Sequence, residues 1–283
     1  MASATVDGFS QGFVTPVAGF LVAWLGGALG LRCTNRSMHS EGVAKTGWLA
    51  LGSTSIGVGI WTMHFIAMLG FSVAESSVTY DGTLTAASLV VAVVVVGVGV
   101  FAVGYLGARR PALLTAGLLM GLGIAGMHYL GMAAMHVGSG ISYSVPLVVL
   151  SVVIAVVAAT AALWSAMSAY GFRASLRASL IFGVAVAAMH YTGMAALNVE
   201  LGEGHGSHGG GGMTGTELLV PMLLGPAVFL VVAAAVVMFD PVLMLGEEWE
   251  DRGTDPSSGE PAGRAGRRTA GRRTPGRQRV GRP

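Results

Sequence analysis

The chain has 283 residues, of which 53% are hydrophobic and only 11% charged, and its mean hydropathy is +0.69. Soluble domains carry about 25% charged residues, so the composition excludes an ordinary water-soluble globule and predicts an all-α integral membrane protein. The net charge of +2 arises beyond Phe239, where nine Arg face seven acids; before that point seven basic and seven acidic residues cancel. The single cysteine, Cys33, excludes an intramolecular disulfide and any CxxC site.

Residues 1–12 (MASATVDGFSQG) lack a basic n-region, so the first apolar segment is expected to stay in the protein, preceded by a short extracytoplasmic stretch. A spanning helix needs about 20 mainly apolar residues. Seven segments qualify, at roughly 13–31, 47–71, 84–106, 113–136, 146–168, 176–198 and 217–239. Valine-rich runs such as 90–96 do not argue for strands here, because lipid demands a backbone paired within its own segment. The loops alternate in charge. Arg32, Arg36 and Lys45 follow the first span, Arg109 and Arg110 the third, and Arg173 and Arg177 the fifth, whereas the intervening loops carry only acids or no charge. The positive-inside rule then places the N-terminus outside and the C-terminus in the cytoplasm of a multi-pass plasma-membrane protein.

The tail at 240–283 is rich in Gly, Pro and Arg with no apolar periodicity and is predicted to be disordered. Its arginines, Arg264, Arg267, Arg268, Arg272 and Arg273 among them, suit contact with anionic inner-leaflet lipid. No aromatic residues interleave them, so nucleic acid is not the expected partner.

The second, fourth and sixth spans share a motif: MHFIAM at 63–68, MHYLGM at 127–132 and MHYTGM at 189–194. Its histidines, His64, His128 and His190, are spaced by 64 and 62 residues. Three parallel helix-pair repeats plus a seventh helix account for this spacing. Each histidine falls seven or eight residues before its predicted span ends, placing all three at one depth, ~11 Å below the outer boundary. A methionine follows each at i+4 (Met68, Met132, Met194), on the same helix face, and another precedes it (Met63, Met127, Met189). Ionisable residues inside a bilayer usually face the bundle interior and mark function. Imidazole with soft thioethers suits copper, cuprous copper in particular, whereas zinc prefers thiolate, imidazole or carboxylate, and the spans offer no acid.

In these motifs the sequence resembles the MHYT domain, a bacterial integral-membrane sensor module, over roughly residues 13–239. The name is spelled by Met189, His190, Tyr191 and Thr192. The resemblance implies one or two copper ions near the outer face, bound by Met63, His64, Met68, Met127, His128, Met132, Met189, His190 and Met194, sensing oxygen, carbon monoxide or nitric oxide. Many relatives continue into a cytoplasmic output module. Here an Arg-rich tail follows the seventh span, so either a separate cytoplasmic signalling partner reads the domain or the domain does something other than signal.

Several further residues are candidates. His205 and His208, in GEGHGSHGGGGM at 202–213, and His136, just after the second motif, could add metal ligands near the mouth of the site. Tyr129 and Tyr191 could donate hydrogen bonds to the ligands, although Phe65 holds that place in the first copy. Met120 is expected to pack rather than ligate. Haem held by two histidines, and a copper channel or delivery protein, are the alternative readings. A retinal protein would need an intramembrane lysine, and the chain's one lysine is Lys45 in a loop. A cation-coupled transporter would want a midplane carboxylate, and no span has one. No hydrolytic constellation appears, and no enzymatic activity beyond redox chemistry at a metal is expected.

Overall fold

The computed structural model describes residues 6–7, 10–73, 78–107, 109–137, 140–168, 172–200 and 213–240. The tail arginines named above, His205 and His208 lie outside the described residues. The chain is an all-α membrane protein with six long apolar helices and a shorter one. The long helices are α1 (Val14–Met38), α2 (Gly42–Leu69), α3 (Gly82–Leu106), α4 (Arg110–Ala133), α5 (Val145–Ser168) and α6 (Phe172–Ala195). In α7 (Gly215–Met238) the apolar run is Met222–Met238.

Local chemistry sets the helix starts. Asp81 caps α3 by accepting the Leu84 amide at 2.8 Å, Pro111 sits in the first turn of α4, and Thr214 with Glu217 forms a capping box on α7. Helix boundaries differ from the sequence-based spans in a systematic way. The first helix runs on through Arg32 and Arg36 to Met38, because no glycine or proline stops it and polar side chains at a membrane edge are tolerated in a helix. At the other end of the bundle, α2, α4 and α6 stop two or three residues early, at Leu69, Ala133 and Ala195. Residues that the spans claimed at 135–136 and 197–198 belong instead to short strands.

The helices close a ring: each of α1 to α6 packs against its sequence neighbours, and α6 returns to α1. The tightest seam joins α1 to α2. A Cβ added to Gly26 would lie 2.6 Å from the Ser55 carbonyl oxygen and 2.8 Å from Gly59 Cα, so only glycine lets these backbones meet. Helix α7 stands outside the ring against α2 and α1, burying Leu230, Ala233 and Val237 on Leu29, Cys33 and Val58. Arg36 fastens its far end, donating to both carboxylate oxygens of Asp240 at 3.2 and 3.3 Å.

Short strands complete each repeat. The strand before each odd helix pairs antiparallel with the strand after the next even one: β1 (Val6–Asp7) with β2 (Ser72–Val73), β3 (Thr79–Tyr80) with β4 (Met135–His136), and β5 (Gly140–Tyr143) with β6 (Leu197–Glu200). Strand β7 (Met213–Thr214) adds to the free edge of β3. The unit is therefore strand–helix–helix–strand, repeated three times. One hydrogen bond recurs in every copy: the carbonyl six residues past the motif histidine accepts an amide from the segment before the odd helix. These are Ser10 to Gly70 at 2.9 Å, Asp81 to Ala134 at 2.9 Å and Ser144 to Ala196 at 2.8 Å. All the strands lie at the end of the bundle where α2, α4 and α6 finish.

Candidate metal centre

Each motif histidine sits five residues before its helix ends, at matching positions on α2, α4 and α6. At 1.5 Å per residue that is ~7.5 Å inside the helix end, rather than ~11 Å, because the helices finish early. The equal depth read from the sequence holds. These three helices touch one another along the ring axis, and there the imidazoles meet.

His64, His128 and His190 are fully buried, at 1%, 0% and 1% exposure. Their rings form a three-bladed propeller. Centroids are 4.9, 5.0 and 5.1 Å apart and the planes cross at 81°, 80° and 88°. The Nδ1 atoms turn inward: His64 Nδ1 lies 3.0 Å from His190 Nδ1 and 3.1 Å from His128 Nδ1. One nitrogen from each ring falls within 4.8 Å of the others, and among the described residues no other trio of His, Cys, Asp or Glu converges so. The Nε2 atoms of His64 and His128 are buried without a hydrogen-bond partner.

Proton bookkeeping shows why this cluster is unusual. A neutral imidazole has one N–H and one lone pair. His64 Nδ1 faces two other Nδ1 atoms. As a donor its single proton cannot point at both, and as an acceptor its one in-plane lone pair would be shared while its Nε2–H stayed bare. A bare buried polar group costs about 1–3 kcal/mol. A cation among the Nδ1 atoms would instead use all three lone pairs at once. The buried His64, His128 and His190 cluster can therefore hold a metal ion.

The surroundings are apolar and braced. Met63, Met68, Met127, Met132 and Met189 are buried in the core, with Met194 half-buried against it, and the Met63 side chain lies on Gly19 of α1. Each imidazole meets the ring of the next residue edge-on: Phe65 at 4.7 Å, Tyr129 at 4.9 Å and Tyr191 at 5.0 Å. The Tyr129 hydroxyl is engaged by Ser151 Oγ on α5 at 2.7 Å, so it ties α4 to α5. On α2 the Trp61 indole donates to Ser88 Oγ on α3 at 2.9 Å. Met120 packs on α3, its thioether facing Gly99, as expected of a filler. Phe71, Val73, Tyr80, Met135, Leu197 and Val199 bury a layer at the strand end. There Tyr80 donates to the Met68 carbonyl at 3.4 Å, and burial holds its phenol above the ordinary range. His136 lies on β4, exposed, its Nδ1 bonded to the Ala134 carbonyl at 3.1 Å, and it is outside the trio.

Sequence reasoning missed which ring nitrogen faces inward, and it missed the role of the glycine three residues past two of the histidines. The motif spacing carried that second signal, since Gly131 and Gly193 stand where the first copy has Ala67.

Comparison with known proteins bears on the repeat. The family model called MHYT, described as a bacterial signalling protein N-terminal repeat, matches residues 57–116 and 121–179. The chain is an MHYT-domain protein. The two matched MHYT stretches contain His64 and His128, and His190 follows in the third copy. Among curated proteins, the chain is 39% identical to the bifunctional diguanylate cyclase/cyclic di-GMP phosphodiesterase MucR of Pseudomonas aeruginosa over 199 residues, 68% of this chain and 28% of that protein. It is 40% identical to the cyclic di-GMP phosphodiesterase NbdA of the same species over 196 residues, 65% of this chain and 24% of that one. The signaling protein YkoW of Bacillus subtilis is 28% identical over 183 residues, 62% of this chain and 23% of its own length. The chain thus spans about a quarter of the length of these relatives. No solved structure matches it.

Proposed function

We propose that this MHYT domain is a membrane sensor that binds one metal ion, copper, between His64, His128 and His190. The observation that carries the reading is the convergence of three buried Nδ1 atoms. Three nitrogens at ~2.0–2.1 Å from one ion stand about 3.3–3.6 Å apart for tetrahedral to trigonal angles. The separations of 3.0 and 3.1 Å need only a small opening to reach that range. A second ion has no comparable room among the same nitrogens. Three imidazoles suit copper or zinc, and copper is the choice that the motif thioethers favour: Met68, Met132 and Met194 follow the histidines by one turn and Met63, Met127 and Met189 precede them. The reading does not extend to haem, whose two axial imidazole nitrogens would stand roughly 4 Å apart across the iron with a porphyrin between them.

A dry, apolar site suits a small uncharged ligand that partitions into lipid, which is the chemistry of oxygen, carbon monoxide and nitric oxide. The helix ends opposite the propeller carry Arg36, Arg109, Arg110 and Arg173, which favours a cytoplasmic location for that end. On this topology α7 is the seventh span, the metal centre lies near the extracytoplasmic face, and the C-terminal tail enters the cytoplasm, where Arg264, Arg267, Arg268, Arg272 and Arg273 meet anionic lipid. The names of MucR and NbdA support a link to cyclic di-GMP signalling. Metal analysis of the purified full chain tests the core of this. Wild type should carry copper near one ion per chain, and the His64→Ala/His128→Ala/His190→Ala variant should lose it. Copper retained in the triple variant would end the proposal.

A further inference from the structure

We infer that Gly131 and Gly193 are positioning residues that choose which nitrogen of His64 and His128 faces the ion. The inference rests on the metal reading above. Gly131 lies on α4, three residues past His128, and Gly193 on α6, three past His190. A Cβ added to Gly131 would stand 2.5 Å from Nε2 and 3.0 Å from Cδ2 of His64, and 3.3 Å from Phe65 Cζ. A Cβ on Gly193 would overlap Nε2 of His128 and lie 3.0 Å from its Cδ2. Each imidazole therefore lays its Nε2–Cδ2 edge into a gap that exists only because the next repeat's helix lacks a side chain there. Both of these Nε2 atoms are buried and unpartnered. They point at the gaps not for a hydrogen bond but because the opposite edge, with Nδ1, is turned to the centre.

A methyl in either gap has two ways out. It can push the ring toward the centre, where Nδ1 already lies 3.1 Å from its neighbour, or it can turn the ring and withdraw Nδ1. Both spoil ligation by that histidine and leave the other two in place. The seats form a directed series, α2 onto α4 and α4 onto α6. The corresponding position on α2 is Ala67, so the threefold pattern is broken by one methyl in the first copy.

The test uses the full chain in lipid bilayers, labelled with ¹⁵N in the histidine rings and loaded with zinc as a diamagnetic probe. Solid-state NMR of the wild type should show three Nδ1-bound, Nε2–H imidazoles. Gly131→Ala should remove the metal-bound Nδ1 signal of one histidine, keep the other two, and weaken zinc binding ~10- to 100-fold, the scale of changes that misorient a ligand. Gly126→Ala is the control, because a Cβ there meets nothing within 4 Å on the same helix; it should keep all three signals. Three unchanged signals in Gly131→Ala, equal loss in both variants, or Nε2 ligation in the wild type would each overturn the inference. The metal-free wild type separates this failure from that of the metal reading. A short dipolar coupling between Gly131 ¹³Cα and His64 ¹⁵Nε2 upholds the seat even where no ion binds, and its absence removes the seat whatever the metal does.

Discussion

Replacing His64 with alanine separates a metal centre from a merely packed histidine, because the two readings predict effects of different size on different quantities. His64 is the hub of the trio, its Nδ1 lying 3.0 Å from His190 Nδ1 and 3.1 Å from His128 Nδ1. Without an ion, the substitution empties a fully buried site, which costs roughly 2–4 kcal/mol for a large side chain. It also removes an orphaned Nε2, relieving about 1–3 kcal/mol. Against that relief, His128 and His190 lose the Nδ1 partner that His64 gave them, at a similar cost, so the metal-free variant should be roughly 2–4 kcal/mol less stable. Metal affinity is the separate and deciding quantity. Four-ligand structural sites bind zinc with about 10–16 kcal/mol, or ~3–4 per ligand, so losing one of three nitrogens should raise Kd about 10²–10³-fold. Thermal unfolding in nanodiscs with competing chelators reads both quantities. At metal equal to 100 times the wild-type Kd, the ion stabilises wild type by about 2.7 kcal/mol, and the same concentration should give the variant ~0.4 kcal/mol or less. A Kd within about threefold of wild type, or full metal-induced stabilisation in the variant, would refute the three-nitrogen site.

Other expectations follow from the same geometry. Metal loading should fall as pH is lowered, since each imidazole must be deprotonated to ligate, and the wild type should lose its ion more steeply than a two-histidine variant in an equilibrium titration. Gly59→Ala should destabilise the bundle by about 1–3 kcal/mol in denaturation assays, because a Cβ there would stand 3.0 Å from Gly26 Cα and force α1 from α2. Asp240→Asn should loosen the end of α7, raising amide exchange over its last turn, because the half-buried Arg36 loses its carboxylate partner at a cost of about 1–3 kcal/mol. With Cys33 replaced by serine, a cysteine at Ser142 should react with an impermeant maleimide from outside the cell and one at Arg110 should not; the reverse pattern would invert the topology.

Much of this arrangement is legible in the sequence because lipid narrows the choices. Apolar runs of the right length become helices, and three copies of one motif at a spacing of 64 and 62 residues put His64, His128 and His190 at equal depth. Repetition around a closed ring then makes the three positions equivalent, and the polar imidazole's place on the inner face of each helix brings them to the axis. What the sequence conceals depends on contacts between chain-distant partners. The strands at 72–73, 135–136 and 197–200 are too short for a two-residue period to show, and their apolar residues continue the helical pattern, so the spans overran. The choice of Nδ1 depends on what stands opposite each ring. Gly131 reads as one more small residue in a membrane helix until His64 is seen filling the space its missing side chain leaves. The direction of the series, His64 resting on α4 and His128 on α6, is a property of neighbouring repeats, and no single repeat contains it. Ala67 then acquires a meaning that neither composition nor spacing gives it. It marks the one copy whose helix carries a methyl where the other two leave a gap.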